Sequence, residues 1–504
     1  MDAASTGAGR PGYGDLEALV GRQHAQIAQL TEQITGLREQ NVELRERVVV
    51  FSARVEELER QVNRSSRNSS APPSSDPPKS RAERRREARE KLKRMSEQQR
   101  KAGGQPGHEG KHRAMVAPGR VDHHSVHLPE SCKCGHSFDG SETRLGDPVI
   151  HQQWELPPVR PLVFQYELVR LRCPCCGKPK LADLPQGVSW SAFAPRLEAH
   201  IATLAGVYRL SRRQVRDVII EMFGVPISTG AVDAVIMRMS AILKDPWEQL
   251  RQSIQQAQQV HADETGWRLR GAYECLWVAA TALAACYRID PHRSQAAAKE
   301  LLGEEFGGFV ISDRYAGYHW LDVLQQQLCW AHWVRSLVAL SERPGQPGKL
   351  GRQLLKAARE AIGVHHAYLN DSHDLAWLKE QLFPLRTQIQ ALLQQGVRGR
   401  DQKTARYCGG LLEEYDALWT FCDVEDLRIP MDNNAAERAL RHAVILRRIS
   451  GGTQSDHGSR WIERILSIRE TMRLQDRPVL DYLIQAATAV RAGQPAPSPL
   501  AAGP

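Results

Sequence analysis

The chain has 504 residues, a quarter of them charged, with a formal net charge of +9 and a pI near 9.1. That length is enough for three or more domains with substantial cores, and the basic excess favours nucleic acid or another anionic partner. No apolar run approaches the ~20 residues that span a bilayer, and the opening residues lack a signal-peptide pattern, so a soluble, cytoplasmic protein with no membrane partner is expected.

Residues 1–14 are rich in glycine and are expected to be disordered. A heptad repeat follows over 15–63. Ile27, Ile34, Asn41, Val48, Val55 and Val62 fall seven apart, and Leu30, Leu37, Leu44, Phe51 and Leu58 form the second seam. β-Branched residues at one seam and leucine at the other favour a parallel two-stranded coiled coil, with the single polar Asn41 fixing register. This predicts an N-terminal coiled coil and a homodimer. Residues 64–117 are a Ser/Pro linker and a basic arm: from Lys79 to Arg113 there are 13 Lys or Arg against 5 Glu, with Arg84, Arg85 and Arg86 adjacent. Such a run suits DNA phosphates, or is simply a solvated linker.

Ten cysteines argue for metal ligands or free thiols before disulfides, and five of them fall between Cys132 and Cys176. Residues 118–190 read as a small β-rich module in which Cys132-Lys133-Cys134-Gly135 and Cys173-Pro174-Cys175-Cys176-Gly177 flank strand-like stretches such as Leu162–Leu168. Paired knuckles of this kind hold a tetrahedral, structural Zn²⁺, which stands in for the core that so short a module lacks. Cys132, Cys134, Cys173 and Cys176 are the favoured ligands, with His136 as a substitute. Only one residue separates the cysteines of the first knuckle, so a module that has lost its metal is the competing reading.

Residues 195–253 are periodic in the helical sense. A helix through Arg212 and Arg213, a turn at Gly224 and a helix capped by Ser228 or Thr229 are compatible with a helix-turn-helix or with plain helix packing.

From residue 254 the pattern turns to strands. Val260-His261-Ala262-Asp263 runs into a carboxylate, as does Phe309-Val310-Ile311-Ser312-Asp313. Between them, Glu274–Thr281 and Ala284–Ile289 read as a hairpin. A further strand is expected over Gln327–His332, then an α-helical insertion over 341–428, broken at Pro344-Gly345-Gln346-Pro347-Gly348 and at Gly396-Val397-Arg398-Gly399-Arg400. Asp432-Asn433-Asn434-Ala435-Ala436-Glu437 reads as a capped helix start with Glu437 in its first turns and Asn433 and Asn434 as caps. After it, Arg438, Arg441, Arg447 and Arg448 give a basic face suited to DNA. The Ala/Gly/Pro-rich tail, 491–504, is expected to be disordered.

Any one of these acids is equally well a helix cap or an arginine partner. Two strand-end aspartates and a helical glutamate together can converge on hard divalent cations, which prefer carboxylate oxygens. Their surroundings carry a resemblance. His261-Ala262-Asp263-Glu264-Thr265-Gly266-Trp267, Ser312-Asp313-Arg314-Tyr315-Ala316-Gly317-Tyr318 and Asn433-Asn434-Ala435-Ala436-Glu437-Arg438 resemble the three acidic motifs of the insertion sequence 66 family of bacterial DDE transposases. The resemblance implies an RNase H-like α/β catalytic core, here in two parts, 254–340 and 429–490, and a zinc-binding module before it; together with the coiled coil and the helical region, read as DNA-binding, this makes a multidomain α+β chain. The resemblance further implies a catalytic triad of Asp263, Asp313 and Glu437 holding Mg²⁺ or Mn²⁺. The activity implied is cleavage at the terminal inverted repeats of an insertion sequence, then strand transfer of the freed 3′-hydroxyl into target DNA. Two small accessory proteins of the same element are implied as partners. Glu264 is an alternative ligand, although neighbours on a strand face opposite ways. Cys329 and His332 match a Cys-Trp-Ala-His element of the family, readable as a second zinc site or as a buried histidine beside a packed cysteine. The rival functions are an RNase H-like nuclease that cuts without joining and a catalytically inert dimeric DNA-binding relic or repressor.

Overall fold

A computed structural model describes residues 114–370 and 373–500, with the isolated positions Gly21, Gly36, Gln40 and Arg47 in helix. The expected coiled coil and basic arm, with Arg84, Arg85 and Arg86, lie outside the described residues. The chain divides into two units, Met1–Pro78 with Arg335–Arg352, and Lys79–Val334 with Gln353–Pro504. In the smaller unit Arg352 donates to the carbonyl of Ser341 at 3.2 Å. The sheet and the site described below belong to the larger one, which combines helices with a mixed sheet. Among the described residues no helix is long and apolar enough to cross a membrane.

The cysteine-rich module holds less β-structure than its composition predicts. Its regular elements are β1 (Arg170–Arg172) and β2 (Pro179–Leu181), antiparallel to each other, with one bridge between Ser131 and Ser137. The stretch 162–168 forms no strand, and Leu162, Val163 and Phe164 are exposed. Alternating apolar residues make a strand only where a partner strand takes up the backbone groups, and none is present at this stretch.

Four helices follow: α1 (Pro195–Gly206), α2 (Arg212–Phe223), α3 (Thr229–Ile242) and α4 (Lys244–Gln255). A capping box from Ser211 and Gln214 starts α2, and Gly224, left-handed at φ +64, ends it. The Ser228 side chain caps α3 by accepting from Ala231 at 3.1 Å.

The central sheet contains β3 (Gln259–Leu269), β4 (Ala272–Ala280), β5 (Ala285–Asp290), β6 (Phe309–Ser312) and β7 (Gln326–Leu328), in the order β5-β4-β3-β6-β7. The first three are antiparallel neighbours; β6 and β7 run parallel to β3. Between β5 and β6 lies α5 (Gln295–Leu302), and after β7 come α6 (Trp330–Ser341), α7 (Gly345–Asn370), α8 (Leu375–Val397), α9 (Gln402–Glu413) and the short α10 (Thr420–Asp423). The chain closes with α11 (Asn434–Ser450), α12 (Asp456–Leu474) and α13 (Val479–Arg491). Helices cover both faces, so β4 is buried continuously from Cys275 to Ala280. Even-numbered Val260 and Ala262 of β3 join the core shared with α5, while Trp267 joins the core built by α1–α3 and α11–α13. Strand parity therefore puts Asp263 on the α11 side and Glu264 on the other.

Both sheet edges are closed by side chains. Along β5, the amides of Ala285, Tyr287 and Ile289 donate to Thr471, Ser467 and Glu463 at 3.1, 2.9 and 2.7 Å. These acceptors are four residues apart on α12, one per turn, and all are buried. At the other edge Gln327 of β7 donates to the carbonyl of Leu418 at 3.3 Å and accepts from the amide of Phe421 at 2.7 Å. The helical insertion thus docks on the sheet as an edge cover, which removes a template for aggregation.

The proline–glycine run breaks the helices as expected: α6 ends at Ser341 and α7 begins at Gly345, which has φ +71, with Pro347 in the first turn, where a missing N–H is harmless. Two further expectations change. The strand before α6 stops at Leu328, so Cys329-Trp330-Ala331-His332 leads into a helix. The tail beyond Arg491 folds back: Pro497 accepts from the Tyr482 hydroxyl at 2.9 Å and Pro499 from Gln475 at 3.2 Å, and Ala496 and Leu500 pack on the core.

Candidate active site

Strand β3 pairs with β6 through Gln259–Phe309, Val260–Val310 and His261–Ile311, and no further. Continued two places, that register sets Asp263 level with Asp313. Parallel strands in register share facing parity, so both acids project to the α11 side at the fork where β6 ends. Asp313 also accepts from the amide of Tyr315 at 3.1 Å, which shapes its exit loop.

Asn433 brings the third acid in. It is fully buried; its Nδ2 donates to the carbonyl of Ala262 at 2.7 Å and its Oδ1 lies 3.1 Å from Nδ1 of His261. Its amide donates to Sγ of Cys329 at 3.2 Å. Asn433 stands at the N-cap of α11, as expected, but makes no side-chain cap bond, and Asn434 is the first helical residue; Asp432 accepts from the amide of Asn434 at 3.1 Å. Asn433 instead pins the start of α11 to the residue before Asp263. One turn later Glu437 faces the fork, its own amide bonded to the Asn433 carbonyl at 3.2 Å.

Burial first, then the charges of Glu264, Asp313 and Glu437, push the pKa of Asp263 up to about 8. The charges of its neighbours thus act on Asp263, which holds its negative charge poorly unless a cation is close. The carboxylate oxygens of Asp263, Asp313 and Glu437 do not all lie within 4.8 Å of one another, whereas ligand atoms of Cys329, His332 and Glu437 do.

Glu264 belongs to a different network. Its Oε1 accepts from Arg293 at 2.9 and 2.5 Å and its Oε2 from the Tyr318 hydroxyl at 3.0 Å. Tyr315 holds that arginine in turn, with the guanidinium 3.8 Å from its ring centre and its hydroxyl donating to the Arg293 carbonyl at 2.5 Å. The tyrosines of the second motif therefore secure the glutamate of the first, and both Glu264 oxygens are occupied. Arg293 carried no local sequence signal.

The candidate DNA-binding arginines separate. Arg438 and Arg441 are exposed on α11, and Arg213 is exposed on α2. Arg212 pairs with Asp233 at 3.1 Å. Arg447 donates to Thr265 Oγ1 at 3.0 Å and to the carbonyl of Gly266, tying α11 to β3.

The two cysteine knuckles are built alike. Cys132 N donates to the His136 carbonyl and Gly135 N to that of Cys132; Cys173 N donates to Lys178 and Gly177 N to Cys173, all at 2.8–2.9 Å. Each turn closes on a positive-φ glycine, Gly135 or Gly177, and Cys134 and Cys176 occupy the same place before it. The thiol pKa values of Cys132 and Cys173 are lowered by hydrogen bonds within their own knuckles. The structure brings Cys132 to Cys134 and Cys173 to Cys176, but does not gather the four into one cluster.

The mixed sheet thus carries two strand-end aspartates, with a glutamate on the covering helix, an all-oxygen donor set of the kind that hard divalent cations take. Comparison with known proteins gives the family. The model described as transposase IS66 family matches residues 191–460, just over half of the chain, and includes all three acids. The zinc-finger binding domain of transposase IS66 matches 129–177, and a family of unknown function matches 15–114. The chain belongs to the IS66 transposase family. No curated protein matches it.

Proposed function

We propose that the protein is a DNA transposase that cuts at the terminal repeats of an insertion sequence and joins the freed 3′ ends to target DNA, using Asp263, Asp313 and Glu437. The observation that carries this reading is the fork: two strand-end carboxylates level with each other and a third on the helix that Asn433 pins beside them. We read the sheet, antiparallel β3–β5 continued by parallel β6 and β7, as an RNase H-like core.

The donor set fits Mg²⁺ or Mn²⁺. All three side chains are hard oxygen donors, and the raised pKa of Asp263 is the mark of a carboxylate that a cation would neutralise. A bound ion of this kind supplies Lewis-acid stabilisation to the charge that develops on the phosphate. Asp263, Asp313 and Glu437 would hold it. Asn433 keeps Glu437 in place, and exposed Arg438 and Arg441 along the same helix are placed to bind phosphates of the duplex. In the first reaction water displaces a DNA strand at the element's end and leaves a 3′-hydroxyl. In the second that hydroxyl attacks a target phosphate, one P–O bond forming as another breaks, without a covalent link to the enzyme. Two element ends call for two copies, which the heptads of 15–63 would supply. The knuckles, with Cys132, Cys134, Cys173 and Cys176 as ligands, hold structural zinc in this reading, supported by the family match at 129–177.

The test is strand transfer of labelled, pre-cleaved terminal-repeat DNA into a supercoiled plasmid with Mg²⁺ or Mn²⁺, run with and without the element's accessory proteins. Joining by the wild type that is lost in Asp263→Asn, Asp313→Asn and Glu437→Gln is expected. Joining retained in any one variant removes that acid from the triad. Cleavage without joining would identify a nuclease, and end binding without cleavage under any condition a DNA-binding relic.

A further inference from the structure

Apart from the bond that the Cys329 sulfur accepts from the Asn433 amide, Cys329 and His332 enter none of the roles above. Cys329 links the end of β7 to α6, and its amide donates to the Ser312 carbonyl at 2.9 Å, directly beside Asp313. His332 lies in the first turn of α6, with Nδ1 3.6 Å from Oε1 of Glu437. The Cys329 sulfur, an imidazole nitrogen and a Glu437 oxygen all lie within 4.8 Å of one another, the one such trio among the described residues. The trio spans three elements, and hydrogen bonds fix each of them: Cys329 to β6, Trp330 to the Met431 carbonyl at 2.9 Å, and the head of α11 through Asn433.

We propose that Cys329, His332 and Glu437 form a second metal site, selective for Zn²⁺ over Mg²⁺, at the rim of the acidic fork. One sulfur, one nitrogen and one oxygen are the donor types zinc takes, and three protein ligands leave a fourth position open, as in catalytic rather than structural zinc centres. Thiolate and imidazole give the selectivity, because Mg²⁺ takes oxygen ligands. Zinc bonds of about 2.0–2.3 Å require the donors to close in by small side-chain rotations. Binding would displace the Cys329 proton to solvent and turn the sulfur from an acceptor of the Asn433 amide into a ligand. Glu437 would be shared, one oxygen on this ion and the other available to the Asp263 side. The inference stands apart from the phosphoryl-transfer reading, since it concerns what the trio binds.

The test uses the full-length protein with Co²⁺ in place of zinc, measuring metal per chain and the near-ultraviolet sulfur-to-cobalt absorption. The wild type should hold one ion more per chain than Cys329→Ser, with a correspondingly stronger band. His332→Gln and Glu437→Gln should weaken that ion about 10–100-fold, while Asp263→Asn and Asp313→Asn leave the band unchanged, whether or not the protein joins DNA. A chain with all five knuckle cysteines replaced by serine, and with its thermal transition intact, should keep one ion and a one-thiolate band. Equal metal content and identical spectra for wild type and Cys329→Ser would overturn the proposal. So would loss of the band in the five-serine chain.

Discussion

Asn433→Ala is the substitution that most directly tests how the site is assembled. The side chain is fully buried and serves two partners, the Ala262 carbonyl at 2.7 Å and His261 Nδ1 at 3.1 Å. Truncation leaves both without it in a dry environment. Each orphaned buried group costs about 1–3 kcal/mol, and the small cavity adds to this, so a loss of about 2–5 kcal/mol is expected. Urea unfolding of the full chain measures it, with the midpoint shifting and the slope unchanged. Because Glu437 lies one turn beyond, strand transfer should fall further than the lost folded fraction accounts for. Asn433→Asp should fare no better: it puts an acceptor, or a buried charge, against the Ala262 carbonyl. A change under about 0.5 kcal/mol in Asn433→Ala, the range of neutral surface substitutions, would refute the argument that this residue ties the helix to the strand.

Other consequences follow from the same contacts. Asp263, raised to about 8 when folded against 3.8 for the free group, opposes folding increasingly as pH rises from 4 to 8. Asp263→Asn should therefore stabilise the metal-free protein by about 2–4 kcal/mol at pH 8, with the gain vanishing near pH 4 and Mg²⁺ narrowing it; equal stability of the two proteins at pH 8 would contradict this. His442, held down at about 4 by burial and 2.8 Å from the guanidinium of Arg209, is neutral when folded. Its contribution is complete above about pH 6.5 and is lost as pH falls toward 4, so His442→Gln should flatten that part of the stability curve. Ser467→Ala removes one oxygen but strands the Tyr287 amide, and should cost about 1–3 kcal/mol by denaturant unfolding. In the zinc module, Cys176→Ser should release the metal and Cys175→Ser should not, as read by zinc content of the purified chain.

Much of the candidate site's layout was legible because its signals are local. A strand that is apolar until it stops on an aspartate reads the same in sequence and in space, and β3, β6 and the head of α11 fall where the three motifs put them. What was missed depends on partners far along the chain. Glu463, Ser467 and Thr471 look like polar interruptions of an amphipathic helix; only the β5 edge, about 180 residues earlier, gives them acceptor roles. Arg447 looks like one more surface arginine, and its bonds to β3 depend on residues about 180 positions earlier. The stretch 162–168 has strand composition without a strand partner. The tail after Arg491 has the composition of a disordered segment, yet two of its carbonyls accept from side chains of the α12–α13 region.

Asn433 and Cys329 explain why the three motifs keep their spacing in space despite unequal spacing along the chain. Asp263 and Asp313 are 50 residues apart and can be aligned by one strand pairing; Glu437 is 124 residues beyond Asp313 and no strand carries it. Helices as long as those of the insertion would leave its position loose by several ångströms if the chain were anchored only at their ends. The insertion is instead clamped to β7 through Gln327 and Leu418, and the chain leaving it is stitched to Cys329 and Ala262 by the two amide groups of one asparagine. Precision at Glu437 thus comes from short-range bonds made after the insertion. Lengthening α8 and α9 together by a full turn should therefore leave the acidic fork intact, whereas any substitution that frees Asn433 should not.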